Sequence, residues 1–298
     1  MATTTGSLSA PIPASTARTM PWNTIAWFTG LLIVAYFPIL RHLVYQWATD
    51  EDVGHGFFVP VVAGFVAWQR REELARITPK PCWWGAALIL WSILQSYIGT
   101  LGAELFLQRT AFLIGLVGVL LLTGGVELIK ALAFPLLLLP FMIPIPSVIY
   151  NQITFPLQLF ASSVAENVLN LLNIPVLRDG NVLELANGDR LNVAEACSGI
   201  RSLLSLTFLS LVYAYFFDKK VWMRWALLAG TIPIAILANA GRVTITGMLA
   251  DMDPALAEGF FHSLEGWIIF LIAFVMLLML HVAINRVYSW TAGRRKHA

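Results

Sequence analysis

The run NVAEACSGIRSLLSL, residues 192–206, sets a cysteine, Cys197, between Glu195 and Arg201 just where polar sequence gives way to leucine. The leucine-rich part reads as a helix, with Cys197 at its start. Free backbone N–H groups and the macrodipole at a helix N-terminus favour a thiolate, so a thiol there is poised as a nucleophile. Two more groups complete a reaction set by type. Arg242, in LANAGRVTITG, brings a guanidinium that can hold a thiolate or a developing oxyanion. His262, in FFHSLEGW, brings the side-chain type that gives and takes protons near neutrality. Asn239 precedes Arg242 by three residues, shares its helix face and is placed to hold the guanidinium. Glu195, Ser198, Arg201 and His55 are further supporting or substrate-binding candidates. Each of these residues also has a plain structural role open to it. A membrane cysteine is more often a small buried hydrophobe, Arg242 can snorkel toward Glu195, Asp251 or Glu265, and His262 can cap a helix at the interface.

The elements that must position these groups follow from composition. Hydrophobic residues are 58% of the chain and charged ones 12%, about half the share usual in soluble domains, which assigns it to a membrane. The formal net charge of +2 gives no ground for a nucleic-acid partner. Eight apolar runs suit a bilayer core of roughly 30 Å: 22–40, 56–69, 83–101, 105–123, 127–146, 198–217, 222–249 and 263–285. The second is short. The fifth carries Pro135, Pro140, Pro144 and Pro146, which predict a kink or unwinding.

With the amino terminus in the cytoplasm, thirteen of the 19 basic residues fall inside, and Arg41, Arg109, Arg178, Arg190, Arg201 and Arg242 fall outside. Both termini are therefore expected in the cytoplasm. Arg242 then lies about 30 Å of helix from Trp222, and His262 about 35 Å from Asn285, so both reach the outer level of Cys197. Cys82 starts the third run on the cytoplasmic side and cannot pair with Cys197. An unpaired thiol in an oxidising outer compartment is a liability unless something uses it.

Segment 147–196 falls outside. Its first half has apolar residues at 157, 160, 161, 164, 165, 168, 171 and 172, the period of an amphipathic helix on the outer leaflet. Its second half sets Asp179-Gly180 and Asn187-Gly188 between short alternating runs, which predicts a small β-meander. The expected fold is thus an all-α polytopic membrane protein of about eight transmembrane helices, with that helix and meander ahead of the sixth span. The expected organisation is a disordered cytoplasmic tail (1–21), a single transmembrane catalytic domain (22–290) and a basic cytoplasmic tail (291–298).

ACSGIRSL at 196–203, NAGRV at 239–243 and the histidine of FFHSLEGW together resemble the exosortase/archaeosortase family of membrane transpeptidases. EDVGHGFFVP, residues 51–60, is similar to that family's amino-terminal His-Gly motif. The likeness runs from about residue 40 to 290. It implies a cysteine transpeptidase of a bacterial inner membrane, facing the periplasm, with Cys197, Arg242 and His262 as catalytic residues. Its implied partners are exported proteins of PEP-CTERM type, whose tails carry a Pro-Glu-Pro-type motif, a transmembrane helix and a basic cluster. The acceptor stays open between water, a lipid amine and a surface glycan.

Other readings stand beside it. A serine-type intramembrane protease would use Ser198 with His262. A metalloenzyme would need a ligand cluster, and no His-x-x-x-His or comparable spacing occurs, so no metal and no cofactor is expected. A non-catalytic subunit of an export or exopolysaccharide system would want polar residues through the middle of several spans, and those middles are nearly all apolar.

Overall fold

The computed structural model describes residues 19–186, 188–193, 199–218, 220–253 and 259–294, and of these only the backbone at 51–52, 199–202, 259–263, 265 and 291–294. The chain forms two compact units, Met1–Leu43 with Pro60–Pro140, and Val44–Val59 with Phe141–Ala298.

The first unit holds α1 (Trp22–Ala35), the start of α2 (Phe37–Thr49), most of α3 (Phe58–Gln69), α4 (Arg71–Arg76), α5 (Trp84–Leu101), α6 (Leu105–Gly124), α7 (Val126–Ala131) and α8 (Ala133–Leu138). Helices α5 and α6 meet through small residues. A Cβ on Gly85 would stand 2.5 Å from the Gly118 carbonyl oxygen, so the approach needs glycine, as close helix pairs in membranes do. The bulky side chains Trp84, Leu90, Trp91 and Ile93 point away from the protein. Gly125 ends α6 at φ +83°, where any side chain would also run into the Lys80 carbonyl.

The second unit carries the candidate site. It comprises a 3₁₀ segment (Glu51–Phe57), α9 (Ser147–Leu171), strands β1 (Val176–Asp179), β2 (Val182–Leu185) and β3 (Arg190–Asn192), and helices α10 (Gly199–Phe217), α11 (Val221–Met252) and α12 (Gly259–Arg294). The strands form the expected antiparallel meander in the order β1-β2-β3, with Asp179 opposite Val182 and Leu183 opposite Leu191. Gly180 (φ +61°) and Gly188 (φ +89°) take the left-handed turn positions. Val176, Leu183, Leu185 and Val193 are buried with Ala161, Ala165 and Leu169 of α9 and Ala240, Val243 and Ala250 of α11. A second core, including Leu206, Met223, Leu227, Ile234 and Leu277, joins α10, α11 and α12.

Helix α9 begins at Ser147, seven residues before the amphipathic stretch read from Thr154 onward. Its buried face is Thr154, Gln158, Ala161, Ser162, Ala165 and Leu169, while Phe155, Phe160 and Leu171 are exposed. Small residues face the neighbouring helix and large apolar ones face outward, the reverse of a water-soluble amphipathic helix.

Among the described residues four helices are long and apolar enough to cross a bilayer, Trp84–Leu101, Leu105–Gly124, Val221–Met252 and Gly266–Trp290, or six if each of two bent pairs is one span. Shorter apolar helices, Val53–Gln69 and Leu203–Phe217, stand where the second and sixth runs were expected. Proline accounts for the breaks. Pro38 follows the bend of 73° between α1 and α2, and Pro140, Pro144 and Pro146 interrupt the fifth run, so that α9 starts afresh at Ser147.

Candidate functional site

Cys197, Ser198 and Glu195 lie outside the described residues. Arg201 and His262 are described by backbone alone, as the third residue of α10 and the fourth of α12. Helix α10 starts at Gly199, two positions after Cys197 in the sequence. The positioned side chains are those of Arg242, Asn239 and His55.

Arg242 is only 7% exposed although it sits in an apolar helix. Its guanidinium lies against α12 at Gly266, where an added Cβ would stand 3.3 Å from Nη2 and 3.4 Å from Cζ. Thr246, one turn on, donates its hydroxyl to the Arg242 carbonyl oxygen at 3.0 Å. His262 stands one helical turn before Gly266 on the same face of α12. Gly266 was not singled out from the sequence. Its only signal there was a residue without a side chain amid the bulk of FFHSLEGW.

Asn239 is 6% exposed. It lines a narrow cleft of about 10 Å³, room for about one water, with Leu157 of α9, Leu203 of α10, and Ala235 and Ile236 of its own helix. Residues three apart on a helix differ by about 60° around the axis, and here that difference is enough to turn Arg242 to α12 and Asn239 to α9 and α10.

His55 Nε2 lies 3.1 Å from the Phe141 carbonyl oxygen. A carbonyl only accepts, so Nε2 carries the proton, and Nδ1 is left as a buried lone pair without a protein partner among the described residues. Trp47 donates its indole N–H to the next carbonyl, that of Met142, at 2.9 Å. The indole occupies the space a side chain on Gly56 would need. The His-Gly pair thus fastens the chain ahead of α9.

A polar cluster that the sequence reading passed over closes the other end of α10, α11 and α12. The Tyr213 hydroxyl is 2.7 Å from His281 Nδ1, and His281 Nε2 is 3.1 Å from Asp218 Oδ2 and 2.8 Å from the Asn285 carboxamide. The Lys220 backbone N–H donates to Asp218 Oδ1 at 2.7 Å, and Arg224 Nε donates to the Asp218 carbonyl at 2.9 Å. Asp218 and His281 are each 8% exposed. The sequence signal was there, since an ionisable residue within an apolar run is a functional or structural marker by default.

Burial pushes the Asp218 carboxyl up, but the hydrogen bonds it accepts from Lys220 and His281, with the positive charge nearby, outweigh this and hold it below the usual carboxylate range. Its stabilising contribution is therefore complete above the unfolded value of about 3.8 and is lost as pH falls through the lower folded value. Thermal melting of the detergent-solubilised protein should show this acid-dependent loss. Asp218→Asn should melt lower at neutral pH and lose that part of the pH profile; an unchanged profile would contradict the role given to the cluster.

A family model described as transmembrane exosortase matches residues 47–279, well over half of the chain and every candidate residue from His55 to His262. No curated protein and no solved structure is similar enough to match it. With its several apolar helices the chain is a multi-pass membrane protein, and it belongs to the transmembrane exosortase family.

Proposed function

We propose that this protein is a cysteine transpeptidase that cleaves the carboxy-terminal sorting signals of exported proteins. Family membership supports a sorting transpeptidase role in general. The observation that carries the finer reading is Arg242, a buried guanidinium seated on α12 one turn from the position of His262.

In this mechanism the Cys197 thiolate attacks the carbonyl carbon beside the sorting motif, and a C–S bond forms as the carbonyl electrons move to oxygen. Arg242 faces that oxyanion, a role worth roughly 3–4 kcal/mol of barrier. Collapse of the tetrahedral species breaks the C–N bond, and His262 gives its proton to the departing amine. A second nucleophile (water, a lipid amine or a glycan) then loses its proton to His262, attacks the thioester and releases the thiolate. Ser198, Glu195, Arg201 and His55 support or bind the substrate.

The substrates are tails of PEP-CTERM type. Their helix packs among the spans, and their basic end stays in the cytoplasm by the charge rule that places both termini of this chain there. The membrane is a bacterial inner membrane, and the site faces the periplasm. Sealed vesicles of both orientations test this with a membrane-impermeant maleimide and a reporter ending in Pro-Glu-Pro, an apolar helix and an arginine cluster. Alkylation from the periplasmic face should stop processing, with the reporter protecting against it, while alkylation at the Cys82 side should not. Inactivation only from the cytoplasmic face would defeat the proposal.

A further inference from the structure

We infer that Lys220 and Arg224, where the start of α11 meets the tail of α12, hold the phosphate of an anionic phospholipid. The inference needs only the proposed orientation, in which this end is cytoplasmic, and no part of the transpeptidase reading.

Charge at this end is one-sided. From Gly199 to Ala250, and again from Gly266 to Ala298, the sequence holds a single acid, Asp218, while Lys219, Lys220, Arg224 and Arg286 precede a basic run at 294–296. Asp218 is turned inward, where His281 and the Lys220 backbone N–H take its carboxylate oxygens. Among the described residues the side chains of Lys220 and Arg224 therefore have no ion pair. Both are nevertheless held in place. Lys220 Nζ stands 3.9 Å from the centre of the Tyr288 ring, and the Arg224 guanidinium 5.5 Å from that of Tyr215. Arg224 Nε donates to the Asp218 carbonyl oxygen at 2.9 Å, which leaves the remaining donors of its fork for a ligand.

The surroundings say which anion. Trp222 packs on Tyr288 with ring centres 5.4 Å apart, and both are exposed, as are Trp225 and Trp290. Such amphipathic rings gather at the headgroup level of a bilayer, so Lys220 and Arg224 lie in the phosphate layer and not in the water beyond it. The Arg224 N–H donates to the Lys220 carbonyl oxygen at 3.3 Å, so the two residues are one turn apart. Their rise of about 6 Å lets both cations reach one phosphate. Phe217, Val221 and Trp225 are exposed beside them and offer the acyl chains an apolar wall. Basic sites between helices at the cytoplasmic face suit anionic headgroups. The basic end of a sorting substrate is not the occupant, because it carries charge of the same sign.

The test uses full-length protein in nanodiscs of phosphatidylcholine, with and without phosphatidylglycerol. Native mass spectrometry of the released protein should find phosphatidylglycerol retained in preference to phosphatidylcholine. Lys220→Gln and Arg224→Gln should each lower that retention about threefold to tenfold, the worth of one cation at a lipid phosphate, and the double variant should lower it further. Arg286 is two positions from Tyr288 and so lies on the other side of α12. Arg286→Gln removes the same charge and should change retention little. Lys220→Gln keeps the backbone N–H that Asp218 uses, so it should melt like the unaltered protein in phosphatidylcholine alone and gain less from phosphatidylglycerol. A second arm uses only the unaltered protein, in which a photoactivatable phosphatidylglycerol should crosslink within residues 217–225 or 288–290. An equal loss with Arg286→Gln would leave only diffuse charge and would overturn the site. So would equal retention of the two lipids, or a crosslink confined to other residues. Melting raised as much by inorganic phosphate in phosphatidylcholine discs would show a site for free phosphate and would overturn the lipid as its occupant.

Discussion

Arg242→Lys should lower processing of a sorting-signal reporter by roughly 10²–10³-fold, the loss that follows removal of a well-placed oxyanion donor. Lysine keeps the charge but replaces a planar fork of five donors by a point charge on a flexible stem. The structure adds a geometric reason. The guanidinium rests on Gly266, a position with no side chain to compete for that space. Gly266→Leu should therefore cost as much as Arg242→Lys, because the new side chain takes the seat of the guanidinium while both residues of the proposed pair, Arg242 and His262, remain present. The reporter assay in membranes reads both variants. Near-normal processing by Gly266→Leu would show that the guanidinium does not act from this seat.

Cys197→Ser should abolish processing, while Ser198→Ala keeps most of it. A serine hydroxyl in place of the thiol lacks a comparable fraction of the anionic nucleophile at neutral pH and is a poorer nucleophile there. The adjacent serine makes the comparison decisive. A protease built on Ser198 and His262 gives the opposite pair of results, with Ser198→Ala dead and Cys197→Ser active. A non-catalytic exporter subunit would tolerate both substitutions.

Much of the fold was legible because a bilayer reduces the possibilities. Apolar runs of the right length had to be helices, and Asp179-Gly180 and Gly188 announced the meander's turns, which the left-handed glycines confirm. The prolines of 135–146 announced the broken fifth run. What the pattern left out was the side of α9 that packs on the protein. Its apolar stripe was read as lying on the outer leaflet, and Phe160, Val168, Leu171 and Leu172 are exposed, while Ala161, Ser162 and Ala165 face the protein. In lipid, large apolar residues gain little by turning inward, and small ones permit close contact.

The candidate site was legible in residue type and less so in partners. Arg242 stood out as a charge in a span, but Gly266, its seat, has no side chain to mark it. Asn239 and Arg242 share a helix face in sequence and part company in space, because different neighbours flank that face. Tyr213 and His281 are 68 positions apart and meet only once α10 and α12 are packed. The criterion that flagged Arg242 applies equally to His281.

The central claim is that a thioester forms on Cys197, and it can be read directly. Unaltered protein in vesicles is incubated with the reporter, quenched in acid during turnover, digested and analysed by mass spectrometry, with and without hydroxylamine. An acyl adduct, cleaved by hydroxylamine, should appear on the peptide containing Cys197, and His262→Ala, which lacks the acid for the departing amine, should form it more slowly. An adduct on Ser198, or processed reporter with no adduct on Cys197 at any time, would contradict the account.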